Sequence, residues 1–217
     1  MAAFRAALDH GFGIELDIHL MKDGKLAVIH DTSLKRTAGA DVKITDLRAE
    51  DLADYRLEGT EEQIPLFSQV LELFTGKAPL IIELKSDHNA PELVAAAVKI
   101  LETYEGPYCI ESFDPRCVFE LKKQAPQIIR GQLTMDYFKE KSTLPKAAKW
   151  IMTQHAENFL TKPDFVACRF SDRNKLGSRL ARKFWGVQGV TWTLRSKEDF
   201  DTAVAEGWLP IFERFIP

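Results

Sequence analysis

The chain has 217 residues, enough for one well-buried domain, and its 45% hydrophobic and 28% charged content is ordinary globular usage. The formal net charge is −3 with mixed signs, so no basic stripe argues for nucleic acid, and the one Lys/Arg-rich stretch, residues 169–183, reads as a solvated helix face. Cys109, Cys117 and Cys168 are odd in number and lack metal-ligand spacing, which fits reduced core thiols; no run approaches the ~20 apolar residues of a membrane helix and no signal peptide is recognisable, so a cytoplasmic protein is expected.

Residues 1–10, MAAFRAALDH, read as a helix, with Phe4, Ala7 and Leu8 at helical spacing and Gly11 as its stop. Residues 13–37, GIELDIHLMKDGKLAVIHDTSLKRT, follow. Between Ile14 and His19 apolar and polar residues alternate, which sets Glu15, Asp17 and His19 on one face of a strand. Asp23-Gly24 marks a tight turn, and residues 26–29 return to deliver His30 and Asp31 near the place where Asp17 leaves. Residues 35–63 break the pattern with Gly39, a polar helical patch about 47–55, and Gly59. Residues 66–74 form a short amphipathic helix stopped by Gly76, and the apolar strand 79–85 sets Glu83 and Lys85 on one face.

The alternation is then regular. Helix 91–104 opens at Pro91 and closes at Gly106, followed by strand 108–113, helix 116–124 and strand 128–133. A loop around 135–143 leads to a longer helix, 144–160, whose Trp150, Ile151, Met152 and Phe159 read as a packing face rather than a membrane-touching one. Strand 164–170, helix 176–185, strand 190–194, helix 197–206 and strand 209–215 complete the chain. Such spacing implies right-handed parallel β/α units, with seven parallel strands once the return 26–29 is set aside; a closed barrel needs eight. No repeat, low-complexity tract or linker suggests a second domain, so residues 1–217 are expected to form one.

Apolar strands that set carboxylates on one face are costly unless a cation offsets the desolvation. Glu15, Asp17 and Glu83 are three oxygen donors, a set that suits Mg²⁺ or Ca²⁺; zinc would ask for more nitrogen or sulfur. His30 suits general acid–base work, because an imidazole exchanges protons near neutrality. Asp31 reads either as an orienter of His30 or as the start of the loop, with the second preferred. His19 reads as a loop support rather than a ligand, and His10, His88 and His155 as exposed and without partners. Lys85 can lend positive charge to a phosphate oxygen or close a salt bridge.

The run ELDIHLMKDGKLAVIHDTSLKRT, followed by IELK, resembles the glycerophosphodiester phosphodiesterase family; IESFD, GQL and TWTL add weaker matches in the family's order over nearly the whole chain. The resemblance implies a TIM (β/α)8 barrel with its site at the carboxyl ends of the strands. It implies a small insertion after the second strand, residues 31–65, over the barrel mouth. It assigns the metal to Glu15, Asp17 and Glu83, catalysis to His30 and Lys85, and substrate contacts to Ser112, Phe113, Gln132 and Trp192. Arg36 would anchor the insertion, and Glu213 would face the site or pair with an arginine of the first strand.

The implied reaction is metal-dependent hydrolysis of a small-molecule glycerophosphodiester to glycerol 3-phosphate and an alcohol, with two histidines sharing the proton transfers. The family opens with a strand ending in His-Arg-Gly, then Glu-Asn, and neither precedes the first helix here. The chain is therefore expected to be truncated at its N-terminus relative to the family, without the first strand and the second histidine. A catalytically impaired short variant serving as a binding or interaction protein is the alternative, and a phospholipase-type barrel forming a cyclic phosphate is a third.

Overall fold

In strand β1 (Ile14–Leu20) the alternate residues Leu16 and Ile18 are buried in a helical core, which turns Glu15, Asp17 and His19 to the opposite face. The strand belongs to the first of two compact units, Met1–Ile128 and Ile129–Pro217. The structure, a computed structural model, describes residues 1–141 and 143–217, and the side chains of all of these except 184 and 185.

In the first unit β1 is flanked on one side by β2 (Leu26–Val28), antiparallel, and on the other by β3 (Leu80–Leu84), parallel, with β4 (Tyr108–Ser112) parallel beyond it. The β1–β2 turn closes at Gly24, whose φ of +80° an L side chain rarely adopts. Around this sheet lie α1 (Ala2–Asp9), the single turn α2 (Lys35–Ala38), α3 (Phe67–Phe74), α4 (Ala90–Leu101) and α5 (Pro115–Gln124). Helix α3 buries Phe67, Val70, Leu71 and Phe74, the i, i+3, i+4, i+7 stripe, and α4 buries Leu93, Val94, Ala97 and Leu101. These meet Leu80, Ile82 and Ile110 from the sheet. Each such side chain contributes roughly 1.5–3 kcal/mol on burial. Helix α5 starts where the Asp114 side chain accepts the Arg116 N–H at 2.9 Å, with Pro115 in the first turn.

The excursion after β2 has a small core of its own, in which Leu34, Ile44, Leu47, Leu52 and Ile64 gather around Met21, Ala27 and Ile29. The patch read as helical at 47–55 is a 3₁₀ segment, Ala49–Asp54, with Leu52 as its buried residue.

In the second unit β5 (Arg130–Thr134), β6 (Phe165–Arg169), β7 (Gln188–Leu194) and β8 (Leu209–Phe212) pair in chain order, all parallel. Among the described residues these and β1, β3 and β4 are the seven parallel strands read from the sequence, with ends shifted by up to three residues. Helices α6 (Lys146–Thr153), α7 (Asn158–Thr161), α8 (Leu176–Trp185) and α9 (Lys197–Ala205) connect them.

Four expectations fail in this unit. The helix anticipated over 144–160 is two pieces, because α6 ends where Thr134 Oγ1 donates to the Met152 carbonyl at 2.7 Å and the chain turns through His155 at φ +57°. Its expected packing face is largely outward: Trp150 is 57% and Phe159 72% exposed. The same turn carries His155 inward, so it is fully buried with Nε2 3.2 Å from Ser178 Oγ, not exposed. Residues 169–183 are likewise not one solvated helix face, since Asp172 sits buried in a 3₁₀ turn and accepts the Asp136 N–H and the Lys139 ammonium. The loop expected around 135–143 includes residue 142, which lies outside the described residues. No described helix is long and apolar enough to cross a membrane.

Candidate active site

Parallel pairing sets Asp17 opposite Glu83 and Glu83 opposite Glu111, each on the face turned from the helical core. Neighbouring strands lie about 4.8 Å apart, so the three carboxylates form a row across β1, β3 and β4. Glu15 stands one pleat earlier on the face of Asp17. One oxygen each from Glu15, Asp17 and Glu83 lie within 4.8 Å of one another.

Lys85 follows directly on β3, where its N–H donates to the Ile18 carbonyl at 3.0 Å. That bond fixes the backbone so that Nζ lies 2.7 Å from Glu83 Oε1 and 2.9 Å from Asp17 Oδ1. The Phe113 ring lies beside it, 5.8 Å from Nζ to the centroid. Among the described residues Lys85 is the only cation ion-paired with any of the four carboxylates.

The charge balance follows from that. Burial, reinforced by Asp17 and opposed by Lys85, pushes Glu15 up to about 8. Burial, opposed by Lys85 and aided by Asp17, pushes Glu83 up to about 8 as well. Glu111, 1% exposed, is raised well above the ordinary range, by burial first and then by Glu15 and Glu83. Burial works against the Lys85 ammonium, but Glu83 and Asp17 outweigh it and raise its pKa. One ammonium does not neutralise four carboxylates, so protons or a cation of higher charge must complete the balance. The converging atoms of Glu15, Asp17 and Glu83 are all oxygens, and beside them Glu111 Oε2 is buried without a hydrogen-bond partner. This chemistry fits a hard divalent cation.

The return strand is tied to β1 by the Ile29 N–H on the Asp17 carbonyl, 3.1 Å, and His30 leaves from there. Its side chain is 68% exposed, with Nδ1 2.6 Å from Asp31 Oδ1. Asp31 Oδ2 accepts the Arg36 Nε–H at 2.6 Å. The Arg36 bond, with that of His30, holds the Asp31 carboxyl down at about 2. Asp31 is thus an ionised orienter of the imidazole rather than a plain loop start, leaving Nε2 for proton exchange. Arg36 anchors the excursion as expected, reaching Glu58 at 3.8 Å too. His19 supports the same loop: its Nε2–H donates to the His30 carbonyl at 3.3 Å, and burial lowers its pKa.

The other anticipated residues have varied surroundings. Ser112 is fully buried, donating to the Leu84 carbonyl at 2.7 Å and accepting the Asp114 N–H at 3.1 Å. Gln132 and Trp192 belong to the second unit, where Gln132 is fully buried in β5 and the Trp192 ring lies 5.6 Å from the Arg169 guanidinium. Glu213 pairs with Arg195 at 2.7 Å. His10 is exposed but bonded to the Ala6 carbonyl, and His88 is exposed. Glu111 escaped the sequence reading, although Ile110-Glu111 repeats the Ile82-Glu83 pair at the end of the neighbouring strand.

The glycerophosphoryl diester phosphodiesterase family model matches residues 1–212. A glycerophosphodiester phosphodiesterase of Caldanaerobacter subterraneus subsp. tengcongensis is 30% identical over 218 residues, covering 95% of this chain and 84% of the relative. Lysophospholipase D GDPD1 of Rattus norvegicus is 33% identical over 118 residues, 48% of this chain and 37% of the relative. Among solved structures, an Oleispira antarctica phosphodiesterase in complex with the product sn-glycerol-3-phosphate matches with a TM-score of 0.81 at 21% identity, over 97% of this chain and 85% of that one. The Thermotoga maritima glycerophosphodiester phosphodiesterase gives 0.72 at 24% identity, over 97% and 86%. The α/β fold read from the sequence is the one these proteins share.

Proposed function

This chain belongs to the glycerophosphoryl diester phosphodiesterase family, whose members hydrolyse glycerophosphodiesters to glycerol 3-phosphate and an alcohol, and on that premise we propose that its reaction site is built on β1 and β3. Glu15, Asp17 and Glu83 would hold one divalent cation, Mg²⁺ or Ca²⁺, and the observation that carries this reading is the convergence of their oxygens within 4.8 Å. Such a cation supplies Lewis-acid stabilisation of charge on phosphoryl oxygens. Lys85 adds a point charge for the same oxygens, and Phe113 beside it offers an apolar wall to a glycerol or alcohol group. The excursion at residues 31–65, tied down by Arg36 on Asp31 and Glu58, is the segment we assign to the mouth of the site.

Hydrolysis joins a water oxygen to phosphorus and breaks the bond from phosphorus to the alcohol oxygen. One proton must leave the water and one must reach the departing alkoxide. With Nδ1 held by Asp31, His30 Nε2 is the group we assign to one of these transfers.

The test is release of glycerol 3-phosphate from glycerophosphocholine or glycerophosphoethanolamine with added Mg²⁺ or Ca²⁺. Glu83→Gln is expected to lower turnover by about 10²-fold or more. Unimpaired turnover by that variant would overturn the assignment.

A further inference from the structure

The carboxylate row does not stop at the three residues whose oxygens converge. Glu111 is the cross-strand neighbour of Glu83 in β4, on the same face of the sheet. It is 1% exposed, and its Oε2 meets no hydrogen-bond donor. No lysine, arginine or histidine is ion-paired with it among the described residues, since the one nearby ammonium, Lys85, is engaged by Asp17 and Glu83. An acid is the costly choice for such a place. A methionine of similar length would fill it without a stranded oxygen, and replacing buried ionic groups by apolar ones is often neutral or stabilising. A lone buried carboxyl adjoining three others is accounted for when something positive, or water ordered by it, occupies the space they share.

We propose that Glu111 is a positioning residue of the cation site, an outer carboxylate acting through Glu83 and bound water, and that it strengthens divalent-cation binding. It is not one of the direct ligands, because its oxygens fall outside the group of three that converge within 4.8 Å. Carboxylates in this outer position orient the ligands and add negative charge near the ion, and their loss costs metal affinity about 10–100-fold. The inference rests on the reading of Glu15, Asp17 and Glu83 as the ligands.

The experiment is isothermal titration of the full chain with Ca²⁺ and Mg²⁺, comparing wild type with Glu111→Gln, Glu111→Met, Glu111→Asp and Glu83→Gln. Glu111→Gln and Glu111→Met are expected to weaken binding by about 10–100-fold, and Glu111→Asp, which keeps the charge, by clearly less. Unfolding without cation separates this from damage to the fold. The Gln and Met variants should be at least as stable as wild type in chelator, yet gain less stability when cation is added. If either folds and binds both cations as wild type does, the role of Glu111 is overturned while the ligand assignment stands. If wild type itself takes up neither cation, or Glu83→Gln binds as wild type does, the ligand assignment falls and this inference with it.

Discussion

Lys85 Nζ lies 2.7 Å from Glu83 Oε1 and 2.9 Å from Asp17 Oδ1, so a single ammonium bridges the two carboxylates that face each other across β1 and β3. The bridge sits at the site proposed for the cation. At that site lysine and cation would share the work of neutralising the cluster, and each should be felt more strongly when the other is removed.

That relationship predicts the outcome of Lys85→Met. Breaking a mostly buried pair by removing one partner typically costs about 3–5 kcal/mol. Urea unfolding in chelator should show a loss of that order, and saturating Ca²⁺ or Mg²⁺ should recover part of it. An equal loss with and without cation would show that the lysine and the ion do not share a site.

The raised carboxyls set a pH dependence. Glu15 and Glu83 move from the ordinary 4.5 to about 8 in the folded chain without cation. Between those values the folded state holds protons that the unfolded state has released, so stability falls as pH rises through this window. The cation-free protein should accordingly have a lower unfolding midpoint at pH 8 than near pH 5. Added cation replaces the protons, so its stabilisation should grow over the same range, with proton release on binding measurable in buffers of different ionisation enthalpy. A flat cation-free profile would contradict the burial of these groups.

His30→Ala should lower kcat by about 10²–10⁴-fold. Its side chain is mostly exposed, so the thermal midpoint should barely move. Asp31→Asn keeps the shape but loses the carboxylate that orients the ring, and it should give an intermediate loss on kcat rather than KM. Steady-state kinetics on a water-soluble glycerophosphodiester decides this. If Asp31→Asn has wild-type kcat, the His30–Asp31 contact is incidental to catalysis.

In the second unit, burial lowers His155 to about 4. The unfolded state binds a proton at the ordinary 6.5, so the His155 contribution to stability falls as the pH drops from there towards 4, opposite in sign to that of Glu15 and Glu83. Every tenfold loss of proton affinity on folding is worth about 1.4 kcal/mol, which places the His155 contribution at a few kcal/mol over that window. His155→Gln should flatten the acid limb of chemical denaturation curves. An unchanged limb would mean that the histidine is not held neutral in the folded state.

The local rules of strand and turn are enough to place most of the first unit's candidate site residues. Alternation along ELDIH put Glu15, Asp17 and His19 on one side, and Asp-Gly turned the chain back to His30. The same parity in LIIELK exposed Glu83 and Lys85 as a pair. The run into TSLKRT placed Arg36, but not its bond to Asp31, because side-chain geometry at an exposed loop is not periodic. The run of helix formers over 144–160 does not announce a left-handed residue at His155; the break there follows from what Thr134 and Ser178 offer from elsewhere in the fold.

The amino-acid sequence by itself determined which residues share a face, since that follows from a two-residue period and needs no knowledge of neighbours. Only the tertiary structure decided which faces meet: the register that seats Glu111 beside Glu83, the reach of Lys85 onto Asp17, and the inward turn of His155. Register and burial are set by packing summed over segments far apart in the chain, so no single stretch of residues contains them.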